Sequence, residues 1–112
     1  MCAGSDWPVS SPNPLWGAHV AVNRVAPAAA GDPSAEPFLP EQRIDLESIL
    51  AAYTSGSARI NGLATSAGAI MAGMDADLAV VDADLSRVPA DDIGSAAVVQ
   101  TWVGGQLVYQ RS

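Results

Sequence analysis

Apolar residues follow two different periods along this chain. Leu15, Ala18, Val22 and Val25 fall on one face of a helix. Asn13 is placed to cap it, and Pro14 stands at its first helical position, where proline is pre-set for a helix. A second face follows in Leu46, Ile49, Leu50 and Tyr53, at i, i+3, i+4, i+7, with Asp45 as its cap. A further short helix is expected from Ser55 to Gly62, which supplies its stop. Between them, residues 24–40 hold Pro27, Pro33, Pro37 and Pro40, and that density predicts an irregular connection.

From Gly68 the period changes. Gly68 to Gly73 reads as a short strand between glycines. Asp77-Leu-Ala-Val-Val-Asp82 is apolar on both faces, which predicts a strand covered on both sides. Pro89 to Ile93 suits one helical turn. Ala97 to Val103, then Gly104-Gly105, then Gln106 to Tyr109 predicts a β-hairpin, since the glycine pair can take the positive φ angles of a two-residue turn. The opening Met1 to Asp6 is too short for periodicity to decide. Pro8 ends any strand there, and Ser10 to Pro14 is turn chemistry. The expected order is a strand, a helix, a long loop, helices, and an all-β tail of four strands. A strand with two apolar faces needs more cover than 112 residues in this order supply, which leads us to expect further chain upstream.

Composition narrows the function. The chain is 49% hydrophobic, as a globular domain is, and carries a net charge of −7 with no lysine. Its five arginines are scattered, so no basic footprint for nucleic acid or an anionic membrane forms. Cys2 is the only cysteine, so no internal disulfide is possible. No apolar run approaches the ~20 residues of a membrane span, and Met1 to Pro8 lacks the features of a signal peptide. The expected location is the cytoplasm.

Gly4-Ser5-Asp6-Trp7-Pro8-Val9-Ser10 resembles the last barrel strand of the amidohydrolase superfamily, in the branch called amidohydrolase family 3, which includes N-substituted formamide deformylases. The resemblance continues through the proline turn and helix to Arg24 and resumes at Tyr53-Thr54-Ser55-Gly56-Ser57-Ala58. It closes with Gly68 to Leu78, Val80-Val81-Asp82 and Val103 to Tyr109. It implies an α/β fold. Residues 1–63 would supply the last strand and C-terminal helices of a metal-dependent hydrolase (β/α)8 barrel, and residues 64–112 part of a composite β-sandwich. Barrel enzymes keep their chemistry at the C-terminal ends of the strands. The implied activity is hydrolysis of non-peptide carbon–nitrogen bonds in a small amide-type substrate by a metal-activated water. Asp6 would be both the metal contact and the catalytic proton shuttle, and the divalent metal would be zinc.

The chain departs from the family where Met74 replaces a common lysine, and more seriously in its ligand set. It has one histidine, His19, and no lysine. A zinc site takes three or four such ligands, so the isolated chain is expected to be inactive, with the missing N-terminal portion or self-association completing it. The alternative is a non-catalytic fragment or β-rich interaction module. The residues also have ordinary readings: Asp6 as a turn-capping aspartate, His19 as a partly buried and satisfied helix residue rather than a substrate or metal contact, Trp7 and Trp16 as packing as readily as the lining of a substrate pocket, Cys2 as a small buried hydrophobe. Ser5 has no local base for a triad. Asp75, Asp77, Asp82, Asp84, Asp91 and Asp92 lack the spacing of a calcium loop and read as strand-end turns. Substrate-binding residues are not legible.

Overall fold

The computed structural model describes residues 1–112. Helix α1 spans Pro14–Asn23. Asn13 is extended at φ −71°, and its side-chain oxygen accepts from the Leu15 N–H at 3.0 Å, as an N-cap should. The helix ends where Arg24 turns left-handed at φ 62°. Val25, expected on the apolar face, therefore lies beyond the helix. The proline-rich loop folds back on this end: Phe38 and Arg24 exchange a backbone bond at 2.8 Å and a side-chain bond at 2.9 Å, and Ile44 donates to Ala21 at 3.1 Å.

The second helical segment is one rod rather than two. Asp45 caps α2, Leu46–Ala51, by accepting from the Ser48 N–H at 2.7 Å. The chain then widens into a π turn over Ala52–Gly56 and continues as α3, Ser57–Ile60. Ser55 starts nothing. Its hydroxyl donates back to Ala51, as Thr54 does to Leu50 and Ser57 to Ala52, so these hydroxyls satisfy carbonyls that the wider turn leaves loose. Ala52 also accepts from the Ala3 N–H at 3.1 Å. That is the sole backbone bond of the opening segment. Met1 to Ser5 is consequently not a strand: it lies against the π turn, where the Ser57 hydroxyl donates to the Ala3 carbonyl and Gly56 abuts the Met1 carbonyl, and it joins no ladder.

Three antiparallel strands, not four, form the sheet, in the order β1 (Leu78–Val81), β2 (Val98–Val103), β3 (Gln106–Gln110). Leu78 pairs with Trp102, and Trp102 with Leu107. The hairpin is as expected: Gly104 and Gly105 take φ 55° and 78°, and Asp77 accepts from the Gly104 N–H at 2.8 Å. The segment from Gly68 to Gly73 joins no ladder. Met74 bonds back to Met71 and Asp75 to Ser66, which curls it into a turn. Strand β1 is not covered on both faces either, since Ala79 and Val80 are exposed. The outer edges of β1 and β3 are free.

The core lies among the helices. Ala18 of α1, Ile49 of α2, Ala52 of the π turn and Ile93 of a 3₁₀ turn over Ala90–Ser95 pack together. Only 8 of 112 residues are buried, so this core is thin. A self-contained chain of this mass should expose about 5,800 Å²; this one exposes 7535 Å². The excess falls on large apolar residues such as Ile70, Met71, Val80, Val103 and Val108.

One contact in this core has a clear consequence. Gly17 lies so close to Tyr53 that an added Cβ would fall 2.1 Å from the tyrosine hydroxyl. Replacing a mid-helix glycine by alanine ordinarily gains about 1 kcal/mol. Here Gly17→Ala should instead cost about 1–3 kcal/mol by overpacking. Most of that loss should vanish in a Tyr53→Phe background, as urea denaturation of the two single variants and the double variant will show.

Candidate active site

Asp6 sits where the opening segment turns toward α1. Its backbone is left-handed at φ 52°, a conformation that a non-glycine residue adopts at a cost and that aspartate tolerates better than most. Two bonds tie the turn together: the Val9 N–H donates to the Asp6 carbonyl at 2.8 Å, and the Ser10 hydroxyl donates to the Ser5 carbonyl. The Asp6 side chain is exposed. None of the chain's hydrogen bonds or ion pairs engages its carboxylate.

That separates Asp6 from the aspartates that do serve turns. Asp45 accepts from Ser48, Asp84 from Ser86, Asp77 from Gly104, and Asp82 from the Ala97 N–H and the Arg111 guanidinium. Hydrogen bonds from Ser48 hold the Asp45 carboxyl below its usual range, as those from Ala97 and Arg111 do for Asp82. Asp77, Asp82 and Asp84 thus work as strand-end clasps, while the carboxylates of Asp75, Asp91 and Asp92 clasp nothing, and no calcium-type cluster forms among the six. Asp6 makes no such cap.

Beside this turn lies a cleft of about 500 Å³. It is lined by Ser5, Ser10 and Ser11 from the turn, Trp16 from α1, Arg24 just beyond its end, and Tyr53 from the π turn, with Cys2 at its edge. Asp6 and Trp7 are not part of that lining. Trp7 is largely exposed, and Cys2 is exposed rather than buried. Sequence pattern placed Tyr53 only on an apolar helix face and did not single out Arg24. Their only signal as cleft residues is membership of segments that resemble the family.

His19 belongs elsewhere. It is fully buried on α1, not partly so. The Asn23 side-chain nitrogen donates to His19 Nδ1 at 3.2 Å and to the Ala90 carbonyl at 2.8 Å. His19 Nε2 has no partner, so the histidine is not fully satisfied either. Burial pushes its pKa below the ordinary 6.5, against a weaker upward pull from the Asp91 carboxylate.

The donors present do not make a metal site. No three His, Cys, Asp or Glu side chains converge anywhere in the chain. The single imidazole is committed to the helix junction, and Asp6 is a lone exposed carboxylate. Two or more further ligands would be needed for zinc.

A family model described as the amidohydrolase family matches residues 1–109. Protein LONG AFTER FAR-RED 3 of Arabidopsis thaliana is 32% identical over 97% of this chain and 18% of its own length. The putative amidohydrolase YtcJ of Bacillus subtilis (strain 168) is 31% identical over 100% of this chain and 21% of its own length. A crystal structure of an amidohydrolase from Thermotoga maritima MSB8 superimposes with a TM-score of 0.53 and 28% identity, over 63% of this chain and 17% of that one. The chain therefore spans about a fifth of the length of these relatives. No helix is long and apolar enough to cross a membrane.

Because the Asp6 carboxylate holds nothing within the chain while its backbone is strained, its substitution should not harm the fold. Glycine removes the left-handed penalty, offset by the chain entropy it restores to the unfolded state. Asp6→Gly should leave stability unchanged or raise it by about 0.5 kcal/mol. A loss above 1 kcal/mol in urea denaturation would restore the turn-capping role.

Proposed function

The chain belongs to the amidohydrolase family, and on that premise we propose that it supplies the acidic end of a hydrolase site acting on non-peptide carbon–nitrogen bonds. The mixed helix-and-sheet architecture and its likeness to a solved amidohydrolase support a hydrolase-type function. The finer reading is that the Met1–Asp6 segment is the last strand of a (β/α)8 barrel, that β1–β3 are part of a composite sandwich, and that the substrates are amides of the N-substituted formamide type. The surface excess over a self-contained domain supports it, because a barrel and sandwich completed by other chain would cover those apolar faces.

The observation that carries this reading is the Asp6 carboxylate, exposed at the end of the opening segment on a left-handed backbone and engaged by no group of its own chain. A carboxylate so placed can accept a proton from an attacking water and return it to the leaving nitrogen. Water adds to the amide carbon, the carbon–nitrogen bond breaks, and the products are an acid and an amine. The water-activating divalent metal, of the zinc type, would require donors from outside these 112 residues. The partners are accordingly a small amide-type substrate and the polypeptide that supplies those donors.

The alternative is a non-catalytic module, favoured by the missing ligand set. One experiment separates the two. The chain is assayed for amide hydrolysis and zinc content alone, and together with a polypeptide covering the other four-fifths of the relatives' length. We expect turnover and bound zinc only in the combination, with Asp6→Asn lowering kcat by about 10²–10⁴ and leaving assembly intact. Assembly with no turnover, or turnover indifferent to Asp6→Asn, favours the non-catalytic module.

A further inference from the structure

The junction between α1 and the Ala90–Ser95 turn contains a buried titratable group that the proposed chemistry does not use. Asn23 spans that junction. Its amide nitrogen faces the Ala90 carbonyl at 2.8 Å, and a carbonyl can only accept, so the second hydrogen of that nitrogen is the one directed at His19 Nδ1, at 3.2 Å. Nδ1 is therefore the acceptor, and the neutral ring carries its proton on Nε2. The ring is wholly buried, with Gly94 against it. Any further proton must enter at Nδ1, the atom that Asn23 already points a hydrogen at. Protonation would set two donors against each other and place an imidazolium in a dry junction whose Nε2–H has no acceptor.

We propose that the His19–Asn23 pair is an acid-released latch: the neutral imidazole holds α1 against the Ala90–Ser95 turn, and a proton on Nδ1 opens that junction and frees the sheet from the helices. The other charged groups around it do not reverse this. On the Ala90–Ser95 turn, Asp91 favours the imidazolium but is outweighed by burial, and Asp92 is exposed. On α1, Arg24 is bound to the Phe38 carbonyl, and Arg43 from the loop reaches the Asn23 carbonyl. At the start of α2, the cap Asp45 and Glu47 are exposed, and Tyr53 of the π turn is set against Gly17. The short turn Pro27–Ala29 carries no ionisable side chain.

The sign follows from linkage. A histidine whose folded pKa lies below its unfolded 6.5 contributes stability that is complete above pH 6.5 and lost as pH falls through the folded value. Asp45 and Asp82 are lowered from 3.8, so their contributions persist until well below this window.

His19 is the only histidine, so one imidazole resonance reports on it. The whole chain is followed by NMR titration and by amide hydrogen exchange at pH 7.5 and 5. The latch predicts a midpoint below 6.5. It also predicts that amides of Ala90–Ser95 lose protection at pH 5, after correction for intrinsic rate, while the β2–β3 ladder keeps its own. In His19→Gln the acid-dependent loss should disappear. In Asn23→Ala the turn should already exchange faster at pH 7.5 and the ring should titrate closer to its ordinary value, so this variant decides if His19→Gln fails to fold. A midpoint at or above 6.5, equal protection of the turn at both pH values, or simultaneous opening of turn and hairpin would overturn the proposal.

Discussion

The packing of α1 onto the Ala90–Ser95 turn is the contact on which this molecule depends. Remove it and two pieces remain, a pair of helical segments and a three-stranded sheet, joined by loops. The contact is narrow. Ala18 lets the backbones approach, Ile93 fills the space against Ile49 and Ala52, and Asn23 bridges the rim. A buried isoleucine contributes about 1.5–3 kcal/mol, so so few large buried side chains leave little reserve for losses elsewhere. It is notable that His19, and no leucine or isoleucine, is the largest fully buried side chain. A neutral imidazole with one orphaned N–H is an expensive filler, since an unpaired buried donor costs about 1–3 kcal/mol.

The same thinness explains what is exposed. The sheet carries Val80, Val103, Leu107, Val108 and Tyr109 toward solvent, and Met1 to Ser5 joins no ladder, with a single backbone bond to Ala52. An extended segment becomes a strand only when a neighbour completes its ladder, and an apolar sheet face becomes a core only when something covers it. Both features fit a chain that matches about a fifth of its relatives' length.

Local chemistry was readable where a single residue type had one thing to do. Asn13 with Pro14, Asp45 before Leu46, and Gly104-Gly105 each act within a few residues, and each took the predicted role. The errors arose where the outcome depended on distant groups. Gly68 to Gly73 has the composition of a strand but bonds within itself. Ser55 resembles a cap but sits inside a continuous rod, because the hydroxyls of Thr54, Ser55 and Ser57 stabilise a widened turn that periodicity cannot reveal. His19 and Asn23 stand four apart, a visible spacing, yet nothing in it foretold that Ala90 would close the bridge. Asp6 was legible only through resemblance; Arg24 carried no separate mark, and Tyr53 was marked only as an apolar helix-face residue, not as part of a cleft.

What distinguishes Asp6 is a contrast among chemically identical residues. An aspartate in a tight turn ordinarily offsets the turn's cost by accepting a nearby N–H. Asp45, Asp77, Asp82 and Asp84 all do so here, and in each the carboxylate is consumed by the fold. Asp6 bears a left-handed backbone without that return, and its turn is held by the Asp6 and Ser5 carbonyls through Val9 and Ser10 instead. Glycine would suit the backbone better, and asparagine equally well. A carboxylate at that position is therefore not explained by folding, and strain that the fold does not require is where functional groups are found.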